Sequence, residues 1–320
     1  MRAITFDHFG DEDVLRIADV PSPTLGQDDL RIAVRATSVN RADLLQRQGH
    51  YPPPPGASEI LGLEAAGVVS EVGANVRGWQ IGDRAMALLP GGGYAEEAVV
   101  HAGSAMRVPD ALSDEEAGAV PEVFLTAHHN LFTLGRIGAG ERALVHGGGS
   151  GVGTAATTML KLAGAQVLVT VGSDEKAQQC LAHGADIAIN YKTEDYVEKA
   201  KPVDVILNHI GAAYLPRDLE TLGEGGRVVI IGSMGGERMA SIDASRVLSK
   251  RLQVIGSVMR PRPAAAKAEI VAAFVARFGD DLEAGRIRPV IHKVLPLERA
   301  AEAHRLMKAS EHFGKIVLTM

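Results

Sequence analysis

The sequence predicts an α/β protein: a β-rich part followed by a doubly wound parallel sheet. Three observations carry this. The first third offers short apolar strands separated at close intervals by glycine, proline and aspartate, as in compact barrel-like domains. From about Glu141 onward strand and helix alternate, which implies a parallel sheet covered on both faces. At the head of that alternation the strand-like Ala143-Leu144-Val145-His146 runs into a glycine-rich turn and then into a helix-forming segment, Thr154 to Leu162.

In the β-rich part the expected strands are Arg2–Phe6, Leu15–Val20, Leu30–Ala36, Ala65–Val72, Arg84–Ala87 and Tyr94–His101. Pro52–Pro55 is a stiff, extended loop element. Over Ser113–Leu134 the pattern turns helical, and Ser113 with Glu116 three places on has the spacing of a capping box. The alternating part then gives strands Arg142–His146, Gln166–Val171, Ile187–Asn190, Val203–His209, Gly226–Gly232 and Leu252–Val258, with helices between them, among them Ser173–Ala182 and Ala240–Lys250. Pro261-Arg262-Pro263 marks a boundary, followed by a long helix near Ala264–Ala284, a strand Val290–Leu295, a helix over Glu298–Met307 and a strand Lys315–Thr319. The expected domains are therefore 1–118, 119–258 and a return, 259–320, that completes the first.

A chain of 320 residues with 46% hydrophobic and 22% charged residues can bury a full core without staples. The net charge of −6 supplies no basic field for nucleic acid, and no stretch reaches the roughly 20 apolar residues of a membrane helix. The start MRAITFDHFG has no signal-peptide core, so a cytoplasmic setting is expected. The single cysteine, Cys180, excludes an internal disulfide and a cysteine-rich zinc site, and reads as a half-buried small hydrophobe.

In the turn, Gly149, Ser150, Gly151, Val152 and Gly153 let a backbone approach a bulky anion, and N–H groups at a helix N-terminus favour negative charge. With a strand before and a helix after, this reads as a dinucleotide pyrophosphate site. A cofactor with a free 2′-hydroxyl usually meets an acid just past the next strand. Here Gln166–Val171 is followed by Gly172 and Ser173; Ser173 and Lys176 can donate to a 2′-phosphate, and Tyr191 reaches the same pocket, so NADPH is expected over NADH. Asp174 and Glu175 either oppose that phosphate or simply start the next helix. Ile210-Gly211 and Ile231-Gly232 end later strands on the side where such sheets bind ligands.

The β-rich start, central dinucleotide fold and C-terminal return resemble the medium-chain dehydrogenase/reductase superfamily over the whole chain. The stretches Asn40–Gly49, Tyr51–Pro54, Leu61–Glu64, Met86–Gly93 and Gly314–Leu318 narrow the resemblance to its zinc-free quinone oxidoreductase branch, most like the tumour-suppressor-inducible enzymes of animals. The resemblance implies a GroES-like catalytic domain with a Rossmann nucleotide-binding domain, a homodimer, and reduction of a quinone; relatives also reduce enones and enoyl thioesters, and a low-turnover NADPH-binding sensor is the alternative from another class. In the zinc-dependent members a cysteine stands at the position of Asn40, a histidine at that of Leu63 and a second cysteine near Pro121–Phe124, so no metal is expected here. A quinone or enone is already electrophilic and can be reduced with hydrogen-bond help alone.

Tyr51 is the expected proton or hydrogen-bond donor to the substrate oxygen, since a phenol can donate to an oxygen gaining charge and relatives place a tyrosine there. Asn40 is expected to bond the cofactor ribose or the substrate oxygen. Met259-Arg260, at the start of the C-terminal return, are expected to touch the nicotinamide; by resemblance Thr126 meets the nicotinamide end, Phe313 and Lys315 form a C-terminal cofactor contact with Lys315 on phosphate, Asp43 and Glu64 hold the site together, and Arg41 neighbours one of those acids.

Overall fold

A computed structural model describes residues 1–320 as two compact units, Met1–Leu125 with Met259–Met320, and Thr126–Val258. The first crossing lies later than the expected 118/119, inside the helix Pro121–His128.

The second unit is a six-stranded, wholly parallel sheet in the order Ile187–Asn190, Gln166–Val171, Arg142–His146, Val203–Asn208, Leu222–Ile230, Gln253–Gly256. In chain order this is 3-2-1-4-5-6, so the sheet reverses its winding next to Arg142–His146. Its central strands are buried along nearly their whole length rather than on alternate residues, because helices cover both faces. The expected helix Ala240–Lys250 shortens to Ala244–Ser249, and the helices expected between the neighbouring strands are the short Tyr196–Ala200 and Leu215–Thr221. Cys180 is fully buried rather than half-buried, and burial pushes its thiol up to about 12, which leaves it inert.

The first unit is built on a seven-stranded sheet. Ile291–Pro296 runs parallel to Lys315–Thr319; antiparallel neighbours follow in the order Asp29–Ser38, Glu64–Val72, Arg84–Leu88 and Ala105–Arg107, and Glu97–His101 also pairs with Asp29–Ser38. Val317 lies opposite Ser38 and Ala36 opposite Ala66, so the register carries Lys315 toward Asn40, and Ser38 toward Glu64. The helix Ala264–Glu283 buries Lys267, Ile270, Val271, Phe274, Phe278 and Leu282, a single helical stripe that holds one lysine among apolar residues. The helical stretch from Ser113 is three pieces, Asp114–Ala117, Pro121–His128 and a π-helical turn His129–Leu134; the capping box forms as expected, with Ser113 Oγ accepting from Glu116 N at 3.2 Å and Glu116 Oε2 from Ser113 N at 2.9 Å. The helix Arg41–Arg47 was missed although its signal is local: Asn40 at the N-cap and Asp43 three places on, whose Oδ2 accepts from Asn40 N at 2.8 Å.

Candidate active site

The glycine turn in the second unit connects the buried strand Arg142–His146 to the helix Gly151–Leu162. Ser150 is its N-cap: its Oγ accepts from Gly153 N at 3.0 Å, so the side chain shapes the turn and keeps its hydroxyl proton to donate. By helix geometry the N–H groups of Gly151 and Val152 have no intrahelical acceptor. A side chain on Gly153 would put its Cβ 2.4 Å from the Gly147 carbonyl oxygen, and one on Gly148 would meet Val169 at 2.5 Å, so close packing of turn and helix demands glycine at both. Gly147, with φ of 66°, lies against the His209 ring. Beneath the turn a buried set ties the strand ends together: His146 bonds Thr170 and Asp218, each at 2.9 Å, and Asp218 also accepts from Tyr196 at 3.0 Å and Asn208 at 2.7 Å.

That asparagine organises the next strand end. Asn208 Oδ1 accepts from the N–H groups of Ile210 and Gly211 at 2.8 and 2.7 Å, and the Ile231 N–H donates to the Asn208 carbonyl at 2.8 Å. Ile210, Gly211, Ile231 and Gly232 are thereby gathered at the same strand ends. Past Gln166–Val171, Ser173 caps the helix Asp174–Ala182 by accepting from Lys176 N at 3.3 Å, and Asp174 is held by Asn190 Nδ2 at 2.7 Å. Asp174 is thus tied to its neighbouring strand. Tyr191 lies so close that a Cβ on Gly172 would be 2.8 Å from its hydroxyl, with Lys192 alongside. Ser173 and Tyr191 flank one strand end, where Lys192 is a further cation that the sequence reading missed. Thr126 belongs to the helix Pro121–His128, and its carbonyl accepts from Asn130 at 2.7 Å.

In the first unit a network of buried charges replaces the simple roles expected of Asn40 and Lys315. Lys315 is buried, and its ammonium donates to Asn40 Oδ1 at 2.6 Å, Glu64 Oε1 at 3.0 Å and the Val39 carbonyl at 3.3 Å. All three protons are spent, so Lys315 stands as the counter-ion of Glu64 with no N–H left over for a phosphate. Glu64 also accepts from Ser38, from Asn40 Nδ2 at 2.9 Å and from Glu122 N at 2.9 Å. Asn40 spends its second amide proton on the Ser38 carbonyl at 3.3 Å, which makes it a positioning residue inside the network. Arg41 reaches Ser310 Oγ at 2.9 Å and neither of the acids expected beside it. Asp43 accepts from Asn40 N, Gly62 N and Tyr94 Oη; burial nonetheless raises its carboxyl to about 6. Tyr94 meets His304 at 3.2 Å and His304 meets Arg47 at 3.3 Å; burial, then the Arg47 charge, holds the imidazole down to about 3. A guanidinium on Nδ1 and a neutral ring place the proton on Nε2, facing Tyr94.

Tyr51 stands in a second cluster of the same unit. The Arg260 guanidinium lies 5.2 Å from the centre of its ring and donates to its carbonyl at 3.2 Å, to the Pro90 carbonyl at 2.8 Å and to Gln46 Oε1 at 2.6 Å. One arginine therefore fixes the Tyr51 loop, the Pro90 loop and the helix Arg41–Arg47. Burial raises the phenol above its ordinary value, so it stays a proton donor at neutral pH. Glu122, half-buried beside Glu64, is pushed up to about 8, first by desolvation and then by the Glu64 charge. Met259 is buried next to Arg260. Phe313 N lies 3.5 Å from His292 Nδ1, before the strand of Lys315. Glu122 and Lys267 were missed, and Arg260, expected only beside Met259 near the nicotinamide, has its partners on Gln46, Tyr51 and Pro90.

Two family models match: an alcohol dehydrogenase GroES-like domain over residues 26–110 and a zinc-binding dehydrogenase over 183–318. The quinone oxidoreductase of Mus musculus is 32% identical across all of this chain and 98% of its own length. Among solved structures, an NAD-dependent alcohol dehydrogenase superimposes with a TM-score of 0.86 at 32% identity, covering both chains completely. An Escherichia coli quinone oxidoreductase complexed with NADPH gives 0.87 at 27% identity, again covering both chains completely. The enoyl reductase of CurK gives 0.85 at 27%, covering all of this chain and 99% of the other. The fold and the site define a nicotinamide-dependent oxidoreductase. The chain belongs to the medium-chain dehydrogenase/reductase superfamily, in its quinone oxidoreductase-like branch. Its donors do not fit a zinc ion: Asn40 and Glu64 are already bonded to an ammonium, and no three His, Cys, Asp or Glu side chains converge.

Proposed function

We propose that the chain is an NADPH-dependent quinone reductase that works without a metal. The observation that carries this reading is Tyr51, half-buried under the Arg260 guanidinium, in a chain that matches quinone oxidoreductases from end to end. The N–H groups of Gly151 and Val152, with the Ser150 hydroxyl, would hold the pyrophosphate, and Ser173, Lys176 and Tyr191 would hold the 2′-phosphate. Ile210, Gly211, Ile231 and Gly232 would leave room for the ribose and nicotinamide, with Thr126, Met259 and Phe313 as further cofactor contacts. The nicotinamide, when bound, supplies the hydride. Tyr51 donates a hydrogen bond, and finally a proton, to the substrate oxygen as charge grows there. Arg260 holds the phenol in position, and Asn40, Glu64 and Lys315 keep the surrounding backbone fixed. A cytoplasmic homodimer is part of the same proposal.

A second reading, reduction of enones or enoyl thioesters, draws on the likeness to the CurK enoyl reductase. It shares the cofactor site and differs only in the electrophile. The deciding experiment follows cofactor oxidation with a panel of quinones, enones and enoyl thioesters, using NADPH and NADH in parallel and protein stripped by a chelator. Turnover of quinones with NADPH after stripping supports the proposal. Turnover of enoyl thioesters alone replaces it with the second reading, and activity that disappears with the metal overturns the metal-free mechanism.

A further inference from the structure

Lys267 sits in the first turn of the helix Ala264–Glu283, whose N-cap, Pro263, offers no side chain to the first N–H groups. Its side chain belongs to the buried stripe and the residue is only 6% exposed. Its ammonium makes no hydrogen bond or ion pair; the charges that act on it are those of Glu122 and Arg260. Arg260, also 6% exposed, spends three of its N–H groups on Pro90, Tyr51 and Gln46. A guanidinium has five, so two remain. Glu122 does not neutralise the pair: pushed up to about 8, it is largely protonated at neutral pH. A lysine held almost wholly inside, among apolar neighbours of its own helix, with its ammonium reaching accessible space but no ion pair, is an unusual placement for a charge. The charge of Arg260, a second buried cation with unspent donors that also fixes Tyr51, acts on it.

We propose that Lys267 and the free N–H groups of Arg260 form a subsite for an acidic group on the substrate, a carboxylate or comparable oxyanion carried near the electrophilic carbonyl. This rests on the reductase reading above and deepens it: the preferred substrates are acidic quinones or enones rather than neutral ones. The anion supplies the counter-charge that the fold omits, and Tyr51, fixed by the same arginine, is thereby set against the oxygen to be protonated.

The test compares naphthoquinone with naphthoquinone sulfonate on the parent, Lys267→Met and Lys267→Arg. The readout is the ratio of kcat/KM for the sulfonate to that for the neutral quinone, in which the intrinsic reactivities cancel between variants. A charge-assisted bond predicts that the ratio falls about tenfold in Lys267→Met and is largely kept in Lys267→Arg. Methionine replaces the stem of the lysine without a charge, so the fold is expected to tolerate it. An unchanged ratio overturns the subsite. So does a loss of NADPH affinity in place of a change in the ratio, since the anion would then be a cofactor phosphate. If the parent reduces neither quinone, the reductase reading fails on its own, and binding decides the subsite: a rise in Tm with naphthoquinone sulfonate that Lys267→Met abolishes supports it, and an equal rise in both overturns it.

Discussion

Replacing Lys315 by methionine tests whether this residue holds the first unit together or holds the cofactor. The substitution keeps most of the buried stem and removes an ammonium that donates to Asn40, Glu64 and Val39. It leaves the Glu64 carboxylate, fully buried, beside Glu122 with no cation in contact. Breaking one side of a buried pair costs about 3–5 kcal/mol, most of it the cost of the stranded charge. For a body of this size each kcal/mol lowers the melting temperature by roughly 2–4 °C, so a fall of about 6–20 °C is expected. The assay is thermal and urea unfolding of the parent, Lys315→Met, and Lys315→Met combined with Glu64→Gln. The double variant removes the stranded charge and should recover a large part of the loss, which a phosphate-binding lysine would not do. NADPH affinity, measured on folded protein, should not change in Lys315→Met. A single variant as stable as the parent, or a double variant no more stable than the single one, would refute the reasoning.

Three further outcomes are expected. Tyr51→Phe should lower kcat for a quinone by up to about 2.7–4 kcal/mol of barrier and leave cofactor affinity alone; single-turnover rates check this, and a raised KM at constant kcat would reduce Tyr51 to a substrate-binding group. Lys176→Ala should weaken NADPH about tenfold and NADH little, and equal weakening in a titration would remove Lys176 from the 2′-phosphate site. His304 is held down to about 3 against 6.5 in the unfolded chain, so the folded protein binds fewer protons between those values. Its stabilising contribution is complete above about 6.5 and is lost as pH falls toward 3, on the order of 3 kcal/mol by pH 4. His304→Gln, which can still accept from Arg47 and donate to Tyr94, should therefore lose less stability between pH 6.5 and 4 in urea titrations; parallel curves would rule that account out.

What the sequence makes legible here is what neighbouring residues decide. The apolar runs of the parallel strands, the capping box at Ser113 and the strand–turn–helix around Gly149–Gly153 each need only a few adjacent residues, and each appears where expected. The division of labour among the glycines was not legible: a run as repetitive as GGGSGVG does not say that a side chain at Gly147, Gly148 or Gly153 would clash with His209, Val169 or the Gly147 carbonyl. Lys315 was misread for a related reason. At the end of a strand it has the pattern of an exposed edge lysine or a phosphate contact, and only the pairing of Val317 with Ser38 and of Ala36 with Ala66 sets it against Asn40 and Glu64. Arg260 likewise reads, with Met259, as a nicotinamide contact at the start of the return segment, yet its acceptors lie on Gln46, Tyr51 and Pro90, which no local pattern connects. The same physics explains why the misread residues are charged. An apolar residue declares its burial by periodicity, whereas a charged residue is tolerated inside only by partners brought from elsewhere in the chain. Lys267 is the instructive exception: it falls on the apolar stripe of its own helix, so its burial was readable from spacing, and what spacing could not supply was that the fold gives it no partner. A lysine in register with Ile270, Val271 and Phe274 is therefore a signal to look for an anion.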